Sequence, residues 1–279
     1  MGAKKRIARF AVISCTHCPF ENKEAIDQLL GKLSDGGPYG PITDFFHAGD
    51  LFESACASVH PNNVDHTLRD EYEAAANLLD RIRSVLPKST NLHFLHGNHD
   101  DNLLIADQRR TDWQTRDLLH FNKSEWAPSF LKWRQSKYRR PSVHDQSGCV
   151  QLGQVIVMHG FDAGQNSDEL EGLSTAWACG GHAHRLIIRG HTHRPKDVTQ
   201  CRRSAKVVLP WWTANAGTCG PTIPSWMARK DTNAWHPAIV WGECKVDTPS
   251  RFASKEWTAH TEVLENKRGA GLKLQSTLA

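Results

Sequence analysis

Strand-sized apolar runs alternate along this chain with amphipathic stretches of helical period, and that alternation confines it to the α/β class. Ile7–Ser14, Ile42–Ala48 and Asn91–His96 read as the first three strands. Between them, Glu21–Leu33 carries Ile26, Leu29, Leu30 and Leu33 on one helical face. A longer helix over Val64–Leu86 carries Leu68, Tyr72, Ala75, Leu79, Ile82 and Leu86. Gly36-Gly37-Pro38 ends the first helix and Pro87 the second. Cys149–Leu152, a turn at Gly153 and Val155–Met158 form a hairpin pattern. Ser167–Cys179 reads as a helix, and Leu186–Arg189, Lys206–Leu209, Trp212–Ala214 and Ala238–Val246 as further strands. There is no internal repeat and no linker composition. Residues 1–265 are therefore expected to form one domain, with 101–146 as a helical insertion rich in basic and aromatic residues and 266–279 as a loosely ordered tail.

With 279 residues the chain is long enough to bury a sizeable core. No apolar run approaches the roughly 20 residues of a membrane span, and Met1–Arg6 is not followed by an apolar region of signal-peptide character. The expectation is a cytoplasmic protein without a membrane partner. The eight cysteines are scattered, which in a reducing compartment suits thiols or metal ligands rather than a disulfide framework.

Polar residues fall where the strands end. The first strand runs into Ser14-Cys15-Thr16-His17, the second into Gly49-Asp50-Leu51-Phe52-Glu53 and the third into Gly97-Asn98-His99-Asp100. Val155–Met158 runs into His159-Gly160, and Leu186–Arg189 into Gly190-His191-Thr192-His193. Ligands of open α/β sheets gather outside the carboxyl ends of strands. A two-metal site needs one carboxylate to bridge the ions, with imidazole nitrogens and oxygens completing each shell. One such cluster has little meaning; five in order form a candidate metal centre.

The ordered set resembles the calcineurin-like metallophosphoesterase superfamily, whose signature is D-x-H, G-D-x-x-[DE], G-N-H-[DE], a His often followed by Gly, and G-H-x-H. The set spans residues 13 to 193. Asn215–Cys219 and Trp235–Val240 are similar to the C-terminal sheet of stand-alone bacterial and phage members. The resemblance implies an α/β fold with a β-sandwich of two mixed sheets flanked by helices. It also implies a phosphoester substrate and two divalent or trivalent metal ions, Mn, Fe or Zn. Carried over by position, Cys15, His17, Asp50 and His193 hold one ion, and Asp50, Asn98, His159 and His191 the other. The implied reaction is attack of a metal-bound hydroxide on phosphorus, for diesters or monoesters. His99 is the implied acid or charge stabiliser, and Glu53 the residue that hydrogen-bonds and orients it. Gly49–Glu53 departs from the longer signature of serine/threonine protein phosphatases. The metal-binding Tyr of purple acid phosphatases finds no assignable counterpart among Tyr39, Tyr72 and Tyr138.

One position departs from the pattern: Cys15 stands where the family carries its first aspartate. Three readings remain open on sequence. Cys15 ligates as a thiolate and shifts preference toward Zn or Fe; or it does not ligate and the protein is a weakened enzyme or a binding scaffold; or it forms a redox pair with Cys18. A second Gly-His-Ala-His, at 181–184, lacks a preceding strand, and His182 and His184 are expected to be exposed loop histidines.

Charge is uneven. Lys+Arg number 34 and Asp+Glu 30, a net charge of +4. Arg109–Arg140 alone has nine basic residues against three acids, interleaved with Trp113, Phe121, Trp126, Phe130, Trp133 and Tyr138. Cations beside aromatic platforms suit a nucleotide or nucleic acid partner, with Arg139 and Arg140 as candidate substrate contacts. The alternative is a helical cap whose aromatics pack on the core, which the spacing of Trp126, Phe130 and Trp133 fits.

Overall fold

The structure is a computed structural model. It describes residues 6–57, 65–109, 132–164, 166–204, 206–221, 234–246 and 254–264. Two mixed sheets carry the fold. The first has six strands in the order β11 (Trp257–Val263), β10 (Ala238–Lys245), β1 (Ile7–Ile13), β2 (Asp44–His47), β3 (Asn91–Leu95) and β4 (Arg134–Ser136). In it β1 to β4 run parallel, and β10 runs antiparallel to both β1 and β11. The second has the order β5 (Cys149–Leu152), β6 (Val155–Met158), β7 (Arg185–Arg189), β9 (Val207–Asn215) and β8 (Lys196–Ser204). Its β6, β7 and β9 are parallel, with β5 and β8 antiparallel at the edges.

Alternation along the strands produces three apolar layers. In β1, Ala8, Phe10 and Val12 face the layer between the sheets, with Phe46, Val155, Val157, Leu186, Ile188 and Val240. Ala11 and Ile13 face the other way, onto helices α1 (Lys23–Ser34), α2 (Leu68–Val85) and α3 (Asn98–Arg109), meeting Ile26, Leu29, Leu79, Ile82 and Leu103. On the second sheet, Ile156, Met158 and Ile187 pack against Ala176 and Cys179, at the end of α4 (Ser167–Ala178). The central strands are covered on both faces, so they read as unbroken apolar runs rather than as alternation.

Helix starts are set by caps. The Asn22 side chain accepts from Ala25 N, so α1 starts at Lys23. Thr67 and Asp70 form a reciprocal capping box, so α2 starts at Leu68 and not at Val64.

The departures from the sequence reading are at the sheet edges. Arg134–Ser136 form β4 inside the stretch expected to be helical. The strands β8 and β11 were not anticipated, because an edge strand with one wet side carries half the apolar signal and many charges. The two short strands expected at Lys206–Leu209 and Trp212–Ala214 join through Pro210 into β9. Pro210 is tolerated because pairing with β7 begins only at Trp211 and the β8 register is broken nearby, between Gln200 and Arg202. Residues 110–131, most of the basic segment with Trp113, Phe121, Trp126 and Phe130, lie outside the described residues, as does the tail 266–279. Among the described residues no helix is long and apolar enough to cross a membrane.

Candidate metal centre

Parallel central strands deliver their carboxyl ends to one rim, and the five clusters meet there. The loops after β1 and β2 run side by side: Cys15 N donates to Gly49 O at 2.9 Å, His17 N to Asp50 O at 3.0 Å and Cys18 N to Leu51 O at 2.7 Å. The 215–219 segment closes on the first loop, with Thr218 Oγ1 donating to Cys15 O at 2.8 Å and Cys219 N to Ser14 O at 3.0 Å. Five of the seven non-glycine residues with positive φ among the described residues sit in these loops: Cys15 (54°), His17 (49°), Asp50 (54°), His191 (68°) and His193 (61°). That conformation costs about 1 kcal/mol or more per residue. The interloop hydrogen bonds hold it and turn each side chain inward.

Among the described residues three donor groups result; one is His17, Glu53 and His99, and the other two share a carboxylate. Cys15, His17, Asp50 and His193 form one; Asp50, His159 and His191 form the other. The nitrogens converge closely. His17 Nε2 lies 3.2 Å from His193 Nε2, and His159 Nε2 lies 3.2 Å from each of His191 Nδ1, Asn98 Oδ1 and Asp50 Oδ2. Partners on the far side of the rings decide what converges. His17 Nδ1 donates to Glu53 Oε2 at 2.9 Å and His159 Nδ1 to Ala48 O at 2.7 Å. In neutral rings those bonds place the hydrogens on Nδ1 and leave lone pairs on both Nε2 atoms. Lone pairs that face other acceptors at 3.2 Å repel one another, and a cation between them removes the repulsion. The donor set therefore fits metal ions.

The electrostatics agree. Burial pushes His191 down to about 3 and holds His193 well below its usual value, so both rings are neutral donors. Burial works against the charge on Asp50, but the His159, His99 and His17 rings hold it well below the usual carboxylate range. Cys15 is buried, with its sulfur 3.0 Å from Ser14 Oγ and accepting from His191 N at 3.3 Å. Burial, then Asp50, raises its thiol well above the usual value. A coordinated cation reverses that balance, since a ligating thiol ionises.

His99 stands at the first turn of α3, its N–H donating to Asp50 Oδ1 at 3.0 Å. The expectation for Glu53 needs correction. Its backbone carbonyl, not its carboxylate, accepts from His99 Nδ1, at 2.7 Å. The carboxylate is hydrogen-bonded to His17, whose ring stands edge-on to His99 at 4.7 Å. Glu53 thus fixes the orientation of a candidate ligand through its side chain and that of the candidate acid through its main chain. Burial lowers His99, but the Asp50 and Glu53 charges outweigh it and raise it, so an imidazolium is accessible there.

Three buried carboxylates to which the sequence assigned no role hold the ligand loops. Asp100 accepts from Asp50 N (2.8 Å), Leu51 N (3.0 Å), Phe52 N (3.2 Å) and Gly97 N (2.7 Å). Glu71, on the inner face of α2, accepts from Ser54 N (2.6 Å) and Ala55 N (3.2 Å). Glu171, on α4, accepts from Phe161 N (2.9 Å) and Asp162 N (3.0 Å), and pairs with the fully buried Arg189 at 2.6 Å. A Cβ on Gly160, at φ +107°, would come 2.6 Å from Arg189 Nε, which explains the glycine after His159. The signal in sequence was a carboxylate on an otherwise apolar helical face at Glu71, and the last position of Gly97-Asn98-His99-Asp100 at Asp100.

Arg139 and Arg140 are half-exposed. Arg139 pairs with Asp145 at 2.6 Å, and both Nη atoms of Arg140 with Asp162 at 3.0 and 2.9 Å. His182 and His184 are half-buried rather than exposed, and their carbonyls accept from the Trp211 and Trp257 indoles.

No curated protein matches the sequence. Two solved structures are similar to this chain at low identity. One is described as the structure of PhoD: TM-score 0.43, 8% identity, over 95% of this chain and 72% of that one. The other is a 5'-nucleotidase precursor from Thermus thermophilus: TM-score 0.40, 12% identity, over 93% of this chain and 54% of that one. The sequence family described as calcineurin-like phosphoesterase matches residues 8–195, a span that takes in all five strand-end clusters. By that match over most of its length, this chain belongs to the calcineurin-like phosphoesterase family.

Proposed function

We propose that this protein hydrolyses phosphoesters at a dinuclear metal centre. The observation that carries the proposal is the pair of donor groups sharing Asp50. Cys15, His17, Asp50 and His193 would hold one cation, and Asp50, Asn98, His159 and His191 the other. Such cations supply charge neutralisation at the phosphoryl group and an attacking water of lowered pKa. The chain supplies the rest. Asp50 would serve both cations from a carboxylate kept ionised. His99, anchored through Glu53 O, donates a proton to the leaving oxygen or stabilises phosphoryl charge. Glu53 keeps His17 in the tautomer that presents Nε2. Cys15 as a thiolate retains the negative charge of an aspartate while favouring Zn or Fe over Mn. Nucleotides or nucleic acid are substrates within this reading, supported by the basic and aromatic composition of Arg109–Arg140. A cytoplasmic setting is supported by the scattered cysteines.

The test is elemental analysis of the purified protein beside hydrolysis of bis-p-nitrophenyl phosphate and p-nitrophenyl phosphate with Mn, Zn, Fe, Ni and Mg. Two metals per chain and hydrolysis with at least one of them are expected. Folded protein that binds no metal and hydrolyses neither ester would overturn the proposal. It would favour instead a scaffold whose first position has lost its carboxylate.

A further inference from the structure

The strand-end rim has a sixth contributor. β4 runs parallel to β3 at the sheet edge, and Tyr138 follows it by two residues, as the ligand loops follow their own strands. Its ring stands edge-on to that of His159, with centroids 5.9 Å apart and planes at 69°. It also stacks on Phe161 at 4.7 Å and 27°. Phe161 in turn has the Arg140 guanidinium 5.1 Å from its centroid, with Arg140 gripped by both oxygens of Asp162. Phe161 N and Asp162 N are themselves bound by the Glu171 carboxylate. The tyrosine ring is thus oriented without any substrate present.

The hydroxyl has no role in this stack. Among the described residues it has no hydrogen-bond partner, although the residue is half-buried. A phenol is a protonated donor at neutral pH. A preoriented donor beside an anion-binding centre needs no reorganisation to act.

We propose that Tyr138 is a substrate-contacting residue of this centre, its hydroxyl donating a hydrogen bond to a phosphoryl oxygen held over the His159–Asn98–His191 half. The inference rests on the phosphoesterase reading and adds a donor to it from outside the five sequence clusters. It also gives the Tyr138–Phe161–Arg140 stack a purpose: the stack aims the hydroxyl. Arg140, committed to Asp162 and Phe161, acts through Tyr138 rather than on the substrate.

Tyr138→Phe keeps the ring and its stack and deletes only the donor. The measurements are metal content, Tm, kcat and KM for bis-p-nitrophenyl phosphate, and inhibition by inorganic phosphate, on full-length wild type and variant. A hydrogen bond to a charged oxygen corresponds to a loss of about tenfold or more in kcat/KM. Orthophosphate inhibition should weaken in parallel, with metal content and Tm unchanged. Activity and phosphate inhibition within twofold of wild type would refute the inference while leaving the phosphoesterase reading intact. Loss of a metal would make Tyr138 a ligand, and a fall in Tm a structural residue; either result also refutes it. A wild type without metal or hydrolysis would remove the reading beneath it, which is a separate outcome.

Discussion

Asp100→Asn tests whether a buried carboxylate holds the bridging ligand in place. In the wild type one oxygen, Oδ2, accepts from Asp50 N and Gly97 N, and the other, Oδ1, from Leu51 N and Phe52 N. An amide of the same shape keeps one oxygen and replaces the other by NH2, which cannot accept. Whichever way it turns, two backbone N–H groups lose their partner in a site with no solvent exposure. At about 1–3 kcal/mol for each buried unsatisfied donor the lost bonds cost about 2–6 kcal/mol, from which relief of the buried charge beside Asp50 subtracts, so a net loss of at least about 1 kcal/mol is expected. No cavity is made, so packing adds nothing. The assay is urea unfolding of metal-free protein at pH 8, because burial and the Asp50 charge push the Asp100 carboxyl up to about 7 and the comparison requires its ionised form. The midpoint should fall at unchanged m. A loss below about 1 kcal/mol would show that the loop does not depend on these four bonds.

Glu53→Gln removes the charge behind His17 while keeping the side chain's shape; zinc affinity measured by chelator competition should fall about tenfold or more, and an unchanged affinity would contradict the positioning role. Cys15→Asp restores a carboxylate to the first donor group, so metal content after reconstitution in mixed Zn and Mn should shift toward Mn; the same Zn preference in both proteins would mean that position 15 does not touch metal. Asp44 offers a pH test away from the centre. Burial opposes its charge, but bonds from His93, Thr43, Arg6 and Asn91 outweigh burial and lower the carboxyl. A lowered folded value contributes stability above the unfolded pKa of about 3.9 that is lost as pH falls through the folded one. Wild type should therefore exceed Asp44→Asn most at pH 6 to 7, with the gap closing below pH 4, as read by urea midpoints; a constant gap would exclude an electrostatic origin.

The α/β class, the central strands and the identity of the clustered donors were legible along the chain. Strands covered on both faces write themselves as unbroken apolar runs, and metal-binding chemistry requires a few residue types beside turns. Three of the four edge strands were not legible. β4, β8 and β11 are partly solvated, and their charges read as loop or helix. Tertiary structure decided which groups face each other. Glu53 looked like the partner of His99, and its carboxylate went to His17; Asp100, Glu71 and Glu171 carried no visible assignment and proved to hold three ligand loops. Periodicity is a local property of the backbone. A hydrogen bond or a shared cation depends on distances in space, and the His17–His193 contact joins residues 176 positions apart. The residue types set what the centre can bind; the packing of two sheets sets which lone pairs converge.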